Sequence, residues 1–193
     1  MYPHAHLRFS QAQARLGTAD AFSHALCQMN PIGIREVVPS AAPRQANCYY
    51  SSSDAAFTDR YVAFSEYGKV NRGEVALEGG WRVYSSGAGI SVRLIMQCFL
   101  GLRMEADSLV IDPVIPLELD GLNADLVLGD RTIRVCYRVK QNGCGPEAID
   151  LNGRNIEFHR EPNPYRCGGA RIPMSVINGN HAGGNDRLMI RLG

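Results

Sequence analysis

The 193-residue chain has a single tryptophan, no surplus of either charge and no long apolar run. Its 20 lysines and arginines face 19 carboxylates, for a net charge of +1. Without a basic stripe there is no surface to track a phosphate backbone, so nucleic acid is excluded as a partner. The longest apolar stretch, Ile90 to Leu102, is broken by Arg93 and Gln97 and is too short to span a bilayer. The opening Met-Tyr-Pro-His-Ala-His has neither the basic nor the apolar region of a signal peptide. A soluble, cytoplasmic protein without a membrane partner is expected. Its six cysteines, at 27, 48, 98, 136, 144 and 167, show no Cys-x-x-Cys spacing and no Cys/His cluster, so no metal site is expected. A reducing compartment leaves them as thiols. Cys27 and Cys98 fall in apolar helical segments, where a free cysteine packs as a small hydrophobe.

What is present changes character halfway along. The first half reads as helices and loops. One helix covers about 4–16 and stops at Gly17, a good residue for a left-handed helix end. Thr18 can cap the next, which carries Phe22, Ala25, Leu26 and Met29 at helical spacing up to Asn30-Pro31. The two form an antiparallel hairpin. Residues 31–53 make a long connection, after which Ser53 or Asp54 can cap a helix with Phe57, Tyr61 and Phe64 on one face, ending at Gly68. The last helix, about 89–100, is apolar nearly all round and is expected to be buried.

After Arg103 the period shifts from 3.6 to 2. Ile133, Val135, Tyr137 and Val139 alternate with Arg134, Cys136, Arg138 and Lys140. Asn152-Gly153 sits between two strand-like runs, 148–151 and 155–159, and signals a hairpin. A second Asn-Gly, at 178–179, precedes a loop tip and a final strand over 187–192. Short strands with no helices between them predict an antiparallel β-sandwich, with Asp112-Pro113 a strand-end turn and the arginines a solvated face.

A set of motifs in order then carries a resemblance. Asn30-Pro31-Ile32, Arg44-Gln45-Ala46-Asn47, Ser51-Ser52-Ser53-Asp54-Ala55-Ala56-Phe57, Gly79-Gly80-Trp81-Arg82, Tyr84-Ser85-Ser86-Gly87 and Leu109-Val110-Ile111-Asp112-Pro113 resemble glycoside hydrolase family 94. These are inverting disaccharide and oligosaccharide phosphorylases, related to the phosphorylase-like end of cyclic β-1,2-glucan synthases. The Ser51–Phe57 segment is most similar to the cellobionic acid phosphorylase branch. The resemblance implies an α + β chain holding the C-terminal helices of an (α/α)6 barrel, residues 1–103, and a C-terminal antiparallel β-sandwich (jelly roll), residues 104–193. It covers only the C-terminal part of such an enzyme, so a truncated gene model or internal initiation is expected.

The family also implies roles. Ser85, Ser86 and Gly87 would hold the attacking phosphate; read alone, they are a helix cap with a glycine for close packing, and the two uses are compatible. Ser52, Ser53 and Asp54 fall where a related branch places a phosphate-binding histidine, or are a helix-start cluster. Arg44, Arg60 and Arg82 offer guanidinium forks for phosphate or an aldonate carboxylate, or are surface ion-pair residues. Trp81 would floor a sugar subsite or pack in a core. His4, His6 and His24 are assigned packing or capping. The family's general-acid aspartate follows Trp-Asn, whereas Trp81 is followed by Arg82, so no catalytic residue is assigned.

The expected function is therefore a C-terminal fragment of an inverting phosphorylase acting on a β-glucosyl disaccharide such as cellobionic acid and inactive alone. Inorganic phosphate would be co-substrate, with no cofactor. The alternative is a non-catalytic remnant or a carbohydrate-binding subunit. Carbohydrate and phosphate are the expected partners, with a homodimer or a chain carrying the rest of the barrel.

Overall fold

A computed structural model describes residues 3–29, 39, 41–43, 55–79, 85–128, 131–180 and 186–193. Two compact units emerge, Met1–Ser10 with His24–Val92 and Gln11–Ser23 with Arg93–Gly193. Among the described residues no helix is long and apolar enough to cross a membrane.

The first unit draws on α1 (Pro3–Leu16) and α2 (Ala19–Cys27). His6 Nε2 lies 2.8 Å from the Ala25 carbonyl oxygen, which ties the hairpin as the sequence predicted. Leu7 and Ala25 are buried beside this bond, whereas Cys27 is exposed, against the apolar packing expected of it. A short parallel pair joins β1 (Ala41–Pro43) to β2 (Leu77–Gly79). Between them, α3 (Arg60–Glu66) and α4 (Gly68–Asn71) replace the single longer helix expected from Ser53 or Asp54. Asp59 takes the cap instead: its backbone is extended and Oδ1 accepts from the amides of Tyr61 (2.8 Å) and Val62 (3.0 Å). Those bonds, Val62's foremost, hold its carboxyl below the usual range. Phe57 thus precedes the helix, and the expected apolar face is open: Tyr61 is 69% and Phe64 91% exposed.

In the second unit, α1 closes at Gly17 (φ +78°), whose amide reaches Gln13 O at 3.0 Å. The Thr18 carbonyl accepts from Phe22, the position of a cap, but its hydroxyl turns back to Gln13. α5 (Ser85–Leu94) runs into a wide π-turn, Ile95–Phe99. Leu94 is fully buried while Val92 and Ile95 are exposed, so this segment is not buried all round.

The strands that follow build two sheets. β3 (Leu102–Met104), β4 (Ser108–Ile111), β9 (His159–Arg160) and β10 (Ala170–Pro173) pair antiparallel in the order β3-β4-β10-β9. β5 (Asn123–Leu128), β6 (Arg131–Arg138), β7 (Pro146–Leu151), β8 (Arg154–Asn155) and β11 (Asp186–Leu192) form the other, ordered β5-β6-β11-β7-β8. Asn152 (φ +55°) and Gly153 (φ +84°) make the expected hairpin turn between β7 and β8. The run predicted as one strand over 155–159 divides, however, β8 ending in one sheet and β9 beginning in the other. Two features depart from a purely antiparallel sandwich. β11 enters between β6 and β7 and runs parallel to β6, which the long connection after β6 permits. The second Asn-Gly closes a helix, α6 (Met174–Gly179).

Both sheets turn their apolar faces to one core. Ile133, Val135 and Tyr137 of β6 meet Leu109 and Ile111 of β4 and Ile172 of β10, all buried. The predicted alternation on β6 holds, save that Cys136 on the outer face is also buried. Each fully buried side chain of this size contributes about 1.5–3 kcal/mol. Tyr137 also donates its hydroxyl to the Leu100 carbonyl at 2.7 Å, anchoring the end of the π-turn to the sheet. Burial holds that phenol protonated far above its usual range.

Candidate functional site

The segment Ser85-Ser86-Gly87 forms the first turn of α5, a ten-residue helix, and Gly87 is buried. The first backbone amides of a helix lack internal partners and carry the positive end of its dipole. No acidic residue occupies this first turn, so nothing on it repels an anion. Arg60 opens α3 and is exposed; its guanidinium donates to Tyr61 Oη at 2.7 Å and lies 4.8 Å from the Tyr61 ring centre. Arg44, Ser52, Ser53, Asp54, Trp81 and Arg82 lie outside the described residues.

A second constellation, within the second unit, escaped the sequence reading. A cavity of about 380 Å³ opens between the C-terminal turns of α1, the π-turn and the loop 161–166. That loop clasps the end of α1: Asn163 Nδ2 donates to Arg15 O at 3.3 Å and Arg166 Nε to Ala14 O at 3.2 Å. Helix ends leave such carbonyls unpaired, and a cation there also complements the dipole. Arg166 is gripped in turn by both oxygens of Asp112, at 2.7 and 3.0 Å. Desolvation opposes its charge, and the Asp112 carboxylate more than offsets this, raising its pKa. At 8% side-chain exposure it is not part of the solvated arginine face expected of the β half. Asp112 does end a strand, as predicted, but it is also the anchor of this loop. The proline-framed run Glu161-Pro162-Asn163-Pro164 was the one local signal of an ordered loop.

The cavity holds more positive charge than its carboxylates neutralise. Arg103 is bound by Glu105 (3.0 Å) and Glu161 (3.1 Å). Arg93, half-buried, donates to Gln11 Oε1 at 3.1 Å. Neither Arg93 nor Arg15 has a carboxylate partner among the described residues. Cys98 also lines the space, and burial pushes its thiol up, keeping it protonated. No cluster of metal-ligating side chains occurs among the described residues.

Residues 101–189, which hold both sheets but for the last residues of β11, match the family model of the glycoside phosphorylase C-terminal domain. This part of the chain thus resembles the C-terminal domain of glycoside phosphorylases. Over 172 residues, 89% of its length, the chain is 42% identical to the 1,2-beta-oligoglucan phosphorylase of Listeria innocua, and the match covers 15% of that protein. Over 91 residues, 47% of the chain, it is 36% identical to the cyclic beta-(1,2)-glucan synthase NdvB of Rhizobium meliloti, covering 3% of it. The chain therefore spans a small part of the length of these relatives. The first of these matches reaches beyond the sheets into the helical segments, and so extends the similarity past the C-terminal domain model.

Proposed function

We propose that this chain is the C-terminal portion of an inverting glycoside phosphorylase acting on β-1,2-linked glucan. The 42% identity across 89% of the chain to a protein named for that activity carries the reading. In it, the helices complete an (α/α)6 barrel, the two sheets form a jelly roll, and Ser85, Ser86 and Gly87 hold phosphate at the entrance of α5. Arg44, Ser52, Ser53, Asp54, Arg60, Trp81 and Arg82 line the sugar side. A phosphate oxygen forms the new bond to the anomeric carbon while the glycosidic oxygen leaves from the opposite face and takes a proton. Phosphate is itself the nucleophile, so one general acid suffices. The names of both relatives favour β-1,2-glucan over the cellobionic acid that Ser51–Phe57 brings to mind.

The general acid's Trp-Asn-Asp sequence does not occur in this chain. General acids contribute about 10²–10⁴-fold, so the chain alone should release no glucose 1-phosphate from β-1,2-glucooligosaccharides and phosphate. Phosphate titration should still move the amides of Ser86 and Gly87 more than those elsewhere. Turnover by the purified chain would overturn the assignment of the acid, and uniform small shifts would overturn that of the phosphate turn. The missing acid also favours a second reading, a subunit that completes a partner. Restored turnover on mixing with a polypeptide carrying the earlier barrel helices would decide for it.

A further inference from the structure

The cavity beside the C-terminal turn of α1 has a charge balance that its own residues leave open. Of its four arginines, Arg166 is held by Asp112 and Arg103 by Glu105 and Glu161. Arg93 and Arg15 have no carboxylate partner among the described residues. Arg93 is half-buried, where a guanidinium without a counter-charge is costly. Its one hydrogen bond among the described residues, to Gln11 Oε1, leaves most of the fork's donors open to an added ligand. Gln11 and Arg15 stand four residues apart on α1, hence on one face. Gln97 adds a neutral polar group, and the Tyr165 ring, 65% exposed, stands at the rim.

We propose that this cavity binds a phosphate oxyanion, free or as the ester of a single sugar, with Arg93 and Arg15 as its charged ligands. Two forks of donors match a tetrahedral anion with several oxygens. A volume near 380 Å³ lies low in the range of about 300–1,000 Å³ for small-molecule pockets, which admits one sugar ring rather than an oligosaccharide. The Tyr165 ring offers that sugar an apolar face. This site is separate in its residues from the Ser85–Gly87 turn and does not depend on the proposed reaction.

The test is calorimetric titration of the intact chain at constant ionic strength with inorganic phosphate, α-glucose 1-phosphate and glucose. The two phosphates should bind and glucose should not. Tighter binding of the ester identifies a sugar phosphate as the ligand, and equal binding identifies free phosphate. Arg15→Gln, whose side chain is exposed, and Arg93→Gln should each weaken binding about tenfold or more, as expected for a charge-assisted contact. Arg191→Gln, on the exposed face of β11, removes equal charge and should leave binding intact. Binding that survives Ser86→Ala and falls in the two arginine variants places the anion in the cavity. Binding lost in Ser86→Ala but unchanged in Arg15→Gln and Arg93→Gln would overturn the proposal while upholding the phosphate turn. So would glucose binding as tightly as its phosphate ester, or an Arg191→Gln loss as large as the others.

Discussion

At the scale of single residues, Gly101 joins the π-turn to β3 and has no substitute. Its φ is +68°, and a Cβ there would lie 2.0 Å from the Pro113 nitrogen. The left-handed conformation alone costs a side chain about 1–2 kcal/mol, and overlap with backbone adds to it because Pro113 cannot move aside. Gly101→Ala should lower unfolding stability by more than about 2 kcal/mol, read as a drop in the urea midpoint. Gly153→Ala, also at positive φ but facing open space, should cost only the conformational part. Equal losses in the two variants would show that contact with Pro113 is unimportant. The sequence made residues such as Ile133, Val135 and Tyr137 legible because burial on a strand follows a period of two. It hid the Asp112–Arg166 and Gln11–Arg93 contacts, since partners 54 and 82 positions apart leave no local pattern. The proposed phosphate turn was legible for the opposite reason, its small residues being contiguous.

Among elements, signals held where they acted locally. Gly17 ended α1 and Asn152-Gly153 turned β7 into β8, because both need positive φ that few residues accept. The same dipeptide at 178–179 closed a helix instead, and the parallel pairing of β11 with β6 depended on strands far apart in the chain. The outer face of the four-stranded sheet shows another non-local arrangement. Arg103, Glu105, Glu161 and Arg171 form a network there, with Glu105 2.7 Å from Arg171 and 3.0 Å from Arg103. Arg103 and Arg171 flank Val110 in register and it is buried, as aliphatic arginine stems allow. Arg171, then Arg103, hold the Glu105 carboxyl below its usual range. A folded-state pKa below the unfolded one adds stability above the unfolded value and loses it as pH falls through the folded value. The wild-type chain should therefore lose its advantage over Glu105→Gln below about pH 5, where carboxylates begin to protonate. Added salt should shrink the difference at neutral pH, since the network is partly exposed. A gap between the two proteins that does not change from pH 7 to 3 would show that the Glu105 charge contributes nothing.

For the whole molecule, the two units differ in what they bury. The second unit closes a continuous core between its sheets, with members from Leu100 to Leu192. In the first, the buried hydrophobics among the described residues are Leu7, Ala25, Met29 and Val70, while Phe9, Tyr61, Phe64, Tyr67 and Val92 stand exposed. Exposed apolar surface, where it is contiguous, marks an interface or an aggregation liability. In the function proposed above, neighbouring helices of a longer protein cover that surface. Alone, the chain should self-associate, with a sedimentation coefficient that rises with concentration. Hydrogen exchange should be faster in residues 55–78 than in the strands of 104–193, because local opening costs least where few apolar contacts must be broken. Phe64→Ser should reduce association without shifting the unfolding midpoint of the sheets, since that side chain is 91% exposed. A monodisperse monomer with equally slow exchange in both regions would mean that the helical unit is stable by itself and that its exposed aromatics need no partner.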